Sequence, residues 1–465
     1  MVLKNVFRDI RFWLIFFFIV RLIGISNPPL EIGHNWRQCQ TNMTTRNYCE
    51  DGLDILHPRI DWAGEKTGIV GSEFPFFNFL TYLAAKVFDY SHWLGRLVNL
   101  IVSSIGLYYF YRLVKLEVNE DTALYSTLFL TTSIWFAFSR KVMPDTFSMS
   151  LVISGLYYGR VYLQQGKNSA VALFFILSTL GVLSKIPALC LMSLIGVALI
   201  LKVPRHRIVI LYILAAISIA IVGWWYFVWV PHLLETYKYQ VIFSKGFTEG
   251  LEEMLPYLSG LVERFSFSAL KSFIGFACFL AGLYYFIKLK NKVAVLAFAL
   301  VSVSFAVYMI KTGLAVPTHN YYIIPYVPVM ALIAGSFIDK ISNKKYQYAL
   351  VALVCIEGIG NQQHDFFIKD SELFKLELET IVQDVVPKND LIIINGGRSP
   401  QEIYFTNRKG WTCTNELLNT AGFLDSLEQL GAKYLILNKI TNPDFQERNA
   451  PLVSGTSYDV YQLDL

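Results

Sequence analysis

The chain has 465 residues, 54% of them hydrophobic and only 16% charged. That is too apolar and too poor in charge for an ordinary soluble domain, and the apolar residues lie in blocks. The net charge of +5 is spread over short basic segments between those blocks and gives no reason to invoke nucleic acid.

A helix needs about 20 residues to cross a bilayer. Blocks near that length lie at 12–29, 93–114, 121–138, 146–163, 169–185, 187–201, 208–230, 270–287, 293–310, 321–338 and 347–360, which predicts a polytopic α-helical membrane protein of about eleven spans. With the N-terminus inside, the inner segments carry Lys4, Arg8 and Arg11, then Lys115, Lys167, and Lys202 with Arg205 and Arg207. Lys288, Lys290 and Lys292, then Lys340, Lys344 and Lys345, complete the set. Each falls where the positive-inside bias places it, and an odd number of spans then puts the C-terminal segment outside. The first block ends in Asn27-Pro28-Pro29 without a small-residue cleavage site, so it reads as a retained span and not a removable signal.

Three polar pieces interrupt the spans. The first, 27–92, has a helical segment starting at Asn35, with Gln38 as its capping partner and Gly52 at its end. In one helix Cys39 and Cys49 stand about 15 Å apart, too far for a disulfide, so both read as free thiols. Residues 76–90 are aromatic but too short to cross, and read as an interfacial helix. The second piece, 231–269, mixes charge and aromatics. The third, 361–465, reads as an α/β domain with a mainly parallel sheet: strands at 391–394 and 434–437 around a helix at 416–430. The expected division is a membrane domain over 1–360, including the large outer loop 27–92, and an extracytoplasmic α/β domain over 361–465.

The first outer loop carries the densest chemistry. Glu31, His34, Trp36, Arg37, Gln38, Gln40 and Thr41 place an acid, an imidazole, a guanidinium and amides beside the end of a span, where an unpaired polar group is expensive. An interfacial helix anchored by Trp36 with Arg37 on lipid headgroups leaves Glu31 and His34 unexplained. Arg140, Lys141, Lys185, Lys245 and Lys311 also project outward in this topology, against the bias, and Arg140-Lys141 sits next to Pro144-Asp145 in a very short loop. Cations held on the outer face suit a phosphate there. Glu73 with His232 or His319 could hold a divalent metal, although residues on three loops do not make a ligand spacing; no other cofactor is expected. Asn395-Gly396-Gly397-Arg398 reads as a strand-terminating turn and not as a phosphate loop.

The run Glu31…His34-Asn35-Trp36-Arg37-Gln38…Thr41…Arg46-Asn47, then Asp61 and Glu73-Phe74-Pro75, resembles the first outer loop of the C-fold glycosyltransferases that use polyprenyl-phosphate sugars. These are related to protein O-mannosyltransferases and the lipid A aminoarabinose transferase. Ser139-Arg140-Lys141-Val142-Met143-Pro144-Asp145 and His319-Asn320-Tyr321-Tyr322…Pro325…Pro328 resemble two further segments of that family. The resemblance implies an inverting transfer from a polyprenyl phosphate donor to an outer lipid, glycan or protein acceptor, in a bacterial inner membrane. It carries the catalytic base to Glu31, with His34 or Asp61 sharing the task. Arg37, Arg140 and Lys141 would meet the phosphate, and Trp36, Asp145, His319 and Tyr322 would shape the pocket. Where the aminoarabinose branch has Lys-Pro-Pro, this chain has Phe74-Pro75 without the lysine, so another cation must face the donor. A transporter or flippase would show internal repeats and acids in mid-span, and a pyrophosphate-dependent ligase leaves the Glu31 loop without a reason.

Overall fold

The computed structural model describes residues 6–239, 245–288, 292–443, 445 and 450–463; Lys4 and Lys290 of the inner basic set lie outside these. The chain forms two compact units. One comprises Met1–Ile25, Arg96–Trp225 and Ile242–Phe366, the other Ser26–Gly95, Tyr226–Val241 and Phe367–Leu465. The first outer loop is therefore grouped with the C-terminal segment.

The first unit is helical. The helix Glu120–Thr132 starts on Asn119, whose side chain accepts from the Thr122 N–H at 2.8 Å, with Glu120 and Asp121 in its first turn; both features favour a helix start. Pro144 opens Pro144–Gln165 and Gly166, at φ +73°, closes it, the expected asymmetry of helix ends. That helix packs on Asn168–Ser184 through small residues: a Cβ at Gly155 would stand 2.3 Å from Ser178 Oγ, and one at Gly181 would stand 2.9 Å from the Ser148 carbonyl oxygen. Without a hydrophobic drive between helices in lipid, such close approach is what holds them.

Among the described residues three helices are long and apolar enough to cross a membrane: Leu94–Glu117, Arg205–Tyr237 and Lys292–Thr312; Phe247–Ser268 with Phe273–Phe286 forms one further bent pair. The expected count of about eleven is not reproduced on that criterion, because several blocks are broken or short. The block at 121–138 stops at Ser133 and resumes as Trp135–Phe138. The block at 187–201 falls into Ile186–Ala188, Leu189–Met192 and Ser193–Ile200, the outer two pieces 3-10 helices, around Pro187. Ile10–Arg21 and Asn168–Ser184 have only 12 and 17 residues.

In the second unit the helices Asn35–Glu50 and Phe76–Phe88 appear as expected, and Gly52 takes φ +98° after the first of them. Its N-cap differs: His34 holds that place in the left-handed region (φ 60°), and the Asn35 side chain turns back to donate to the Glu31 carbonyl oxygen. Cys39 and Cys49 are free thiols.

The described strands are β1 (Leu391–Ile394), β2 (Gly410–Thr412), β3 (Ala432–Asn438), β4 (Val453–Ser454) and β5 (Tyr458–Gln462), in the order β2-β1-β3-β5-β4. β1 runs parallel to β2 and β3, but β5 is antiparallel to β3 and β4. The sheet is thus mixed, not mainly parallel. β4 and β5 are separated by Gly455, Thr456 and Ser457 alone, and so short a link permits a hairpin but not a crossover. The helix expected over 416–430 is split into Asn415–Leu418 and Phe423–Glu428, with Gly422 at φ +79° between them. Ile392 and Ile394 share one core with Leu30, Cys39, Met43, Ile60 and Val70 of the first loop, and Ile393 joins Leu418, Leu427 and Leu435 on the other face; this is the alternation of a strand covered on both sides.

Candidate active site

Polar clusters occur in both units. In the second unit, Glu31 is buried and its Oε2 receives the Gln38 amide at 3.4 Å. On the helix Asn35–Glu50, next to Gln38, Arg37 donates to Gln40 at 2.8 Å and forms an ion pair with Glu73. Arg37 thus already meets a carboxylate, with both side chains largely out of solvent. Trp36 is 39% exposed and meets Trp62 edge to face.

Asp61, a candidate for the base, is engaged elsewhere. Its Oδ2 lies 2.7 Å from Arg46 and its Oδ1 accepts from Asn47 at 3.1 Å. Arg46 also donates to the Tyr404 carbonyl and lies 4.6 Å over the Tyr404 ring. Burial opposes the charge on Arg46, yet the Asp61 carboxylate raises its pKa above the usual arginine value. Arg46, Asp61 and Tyr404 form a buried structural joint. The His232 ring meets Trp229 at 5.2 Å with the planes tilted by 40°, Glu73 is paired with Arg37, and no group of three potential metal ligands occurs among the described residues.

In the first unit, the expectation that Arg140 and Lys141 lie in an exposed loop does not hold. Both are 1% exposed. Arg140 donates to the carbonyls of Arg21, Ile23 and Asp365 and lies 4.0 Å over the Phe366 ring. Lys141 Nζ is 2.8 Å from Asp365 Oδ1. These cations are used to tie chain segments together, which spacing along the sequence cannot reveal.

Asp145 sits in the first turn of Pro144–Gln165, where a carboxylate is favoured. Its Oδ1 is 3.6 Å from Lys185 Nζ, at the C-cap of Asn168–Ser184. Lys185 lies 5.9 Å from the Tyr321 ring. Tyr321 stacks on Tyr322 at 4.4 Å, with the His319 ring 5.8 and 6.1 Å from the two, and Phe138 6.0 Å from Tyr321. A carboxylate, an ammonium, an imidazole and an aromatic platform therefore converge. Lys185 was expected only as one of the five outward cations, and its aromatic neighbour Tyr321 was not among the expected pocket residues. The break Ser184-Lys185-Ile186-Pro187 was the available signal, because a proline stop places a lysine at a helix end.

Residues 72–227 match the model of the dolichyl-phosphate-mannose-protein mannosyltransferase family. The crystal structure of ArnT from Cupriavidus metallidurans bound to undecaprenyl phosphate superposes with a TM-score of 0.62 at 11% identity, over 97% of this chain and 98% of that one. The chain has the fold of the C-type glycosyltransferases. The archaeal oligosaccharyltransferase AglB from Archaeoglobus fulgidus, in complex with an inhibitory peptide and a dolichol-phosphate, shares this C-type fold with a TM-score of 0.57 at 13% identity, over 92% of this chain and 69% of that one. An uncharacterized protein of Aquifex aeolicus (strain VF5) is 26% identical over 264 residues, which span 52% of this chain and 51%, about half, of that relative's length.

Proposed function

We propose that the protein is an integral-membrane glycosyltransferase that moves a sugar from a polyprenyl phosphate to an acceptor on the extracytoplasmic face, with inversion. The observation that supports this most is the C-type fold over 97% of the chain, shared with a structure bound to undecaprenyl phosphate. In the reaction, an acceptor hydroxyl oxygen attacks the anomeric carbon and the bond from that carbon to the phosphate oxygen breaks. Its electron pair leaves with the phosphate, and the hydroxyl proton passes to a carboxylate base. Charge on the departing phosphate is the main thing to stabilise, and Lys185 takes that role in place of Arg140 and Lys141, which are committed to buried partners. The faces of Tyr321 and Tyr322 suit the apolar face of a sugar.

Glu31 remains the first candidate for the base, with His34, Trp36 and Arg37 around the acceptor path. A second reading places the base at Asp145, because that carboxylate lies beside Lys185 and the tyrosine platform. The test is transfer from a short-chain polyprenyl-phosphate sugar by protein reconstituted in vesicles, comparing Glu31→Gln with Asp145→Asn. The variant that loses about 10²–10⁴-fold in turnover while still binding carrier names the base. Failure of the wild-type protein to bind any polyprenyl phosphate overturns the reading.

A further inference from the structure

The first unit contains a cavity of about 210 Å³ that the transfer chemistry does not use. Its lining is hydrocarbon from helices on every side, save for Glu117 and Arg160, which pair with each other. The space exceeds that of many waters, but its walls offer them almost no hydrogen-bond partners, so water does not account for it. Arg160 follows Asp145 by fifteen residues on the helix Pro144–Gln165, which puts the charged end of the cavity about 23 Å along the bundle from Asp145.

Two features define what fits. The first is charge. Arg207, held on the carbonyls of Leu163 and Gln164, stands at the same end of that helix as Arg160. The lining residue Leu201 runs directly into exposed Lys202 and Arg205. Arg160, paired with Glu117, and Arg207 thus stand at one end of this helix, and Lys202 and Arg205 follow the lining in sequence. The second is access. One wall is the 3-10 stretch Ser193–Ile200, a geometry weaker than an α-helix. Ala198 lines the cavity while its neighbour Leu199 is 68% exposed, so the cavity lies close to the outer surface of the bundle.

We infer that this cavity is a binding site for one acyl chain of an anionic phospholipid, whose phosphate headgroup rests on Arg160, Lys202 and Arg205. Hydrocarbon from the bilayer fills space that would otherwise forfeit packing contacts, and the basic rim selects the headgroup by charge. The site is separate from the carrier-phosphate cluster at Asp145 and Lys185 and stands whatever the protein's reaction is.

The test uses full-length protein, delipidated in detergent and titrated with phosphatidylglycerol or phosphatidylcholine under native mass spectrometry. One phosphatidylglycerol should bind in preference to phosphatidylcholine. Ala198→Phe with Ala297→Phe fills the cavity and should weaken that binding at least ~10-fold. Lys202→Ser with Arg205→Ser changes only exposed residues, keeps the fold, and should abolish the preference for phosphatidylglycerol while a chain still binds. Unchanged phosphatidylglycerol binding in a folded cavity-filled variant overturns the inference. So does an unchanged headgroup preference in the Lys202/Arg205 variant, or a polyprenyl phosphate displaced by the phenylalanines in place of the phospholipid.

Discussion

Lys141 Nζ lies 2.8 Å from Oδ1 of Asp365, with the lysine side chain 1% and the aspartate side chain 10% exposed. Two residues 224 positions apart in sequence thus neutralise each other in the interior of the helical unit. Asp365 also offers its backbone carbonyl to Arg140, so the pair closes a joint between the loop before Pro144 and the 3-10 stretch Gln363–Phe366.

Breaking that pair should cost stability before it touches chemistry. Lys141→Met leaves the buried Asp365 without its lysine, with His364 Nε2 still 3.6 Å away, a loss of up to about 3–5 kcal/mol, whereas Lys141→Met with Asp365→Leu should recover most of it. Thermal unfolding in detergent reads the difference. A single variant as stable as wild type, with carrier binding lost, would return Lys141 to the phosphate.

The same reasoning applies to Asp61. Asp61 is bound by Arg46 and Asn47, so Asp61→Asn should lower the unfolding temperature by weakening a buried pair. Turnover per folded molecule should then stay within a few-fold of wild type. A loss of 10²-fold or more at full folded occupancy, the scale of a general base, would make Asp61 catalytic.

Glu402 supplies a pH dependence. Its carboxyl is buried, accepts from Asn438 at 3.0 Å, and burial pushes its pKa up from the usual value of 4.5. The folded state therefore holds the proton more tightly than the unfolded chain. The resulting stability is fully present below the unfolded pKa and is lost as pH rises through the folded one. Glu402→Gln keeps the acceptor for Asn438 and removes the charge. Its unfolding temperature should match wild type near pH 4 and exceed it at pH 8; equal values at pH 8 would mean that the carboxylate is not penalised there.

Local pattern made much of this architecture legible. The helix Asn35–Glu50, the strand Leu391–Ile394 and the basic ends of the helices follow from capping, β-branched runs and charge bias. What escaped depends on partners far away in the chain. Arg140 and Lys141 read as exposed because nothing near them signals Asp365. Asp61 looked like a base because Arg46, its partner, was fifteen residues off on a helix. Lys185 was visible as an outward cation, but only the fold sets it against Asp145 and Tyr321.

Lys185 and Asp145 give the sharpest prediction, because their variants should move carrier binding in opposite directions. Lys185 Nζ and Asp145 Oδ1 are 3.6 Å apart, longer than a charge-assisted hydrogen bond. An ammonium that meets a departing phosphate contributes about 1.5–3 kcal/mol. Lys185→Gln should therefore weaken binding of a polyprenyl phosphate by roughly 10–100-fold per folded molecule. Asp145→Asn removes a negative charge from beside the phosphate, so carrier binding should hold or tighten. If Asp145 also serves as the base, turnover falls in that variant even as binding improves, a split that simple loss of folding cannot produce. Carrier affinity equal to wild type in Lys185→Gln would remove the phosphate from this cluster and return it to Arg37 in the first outer loop.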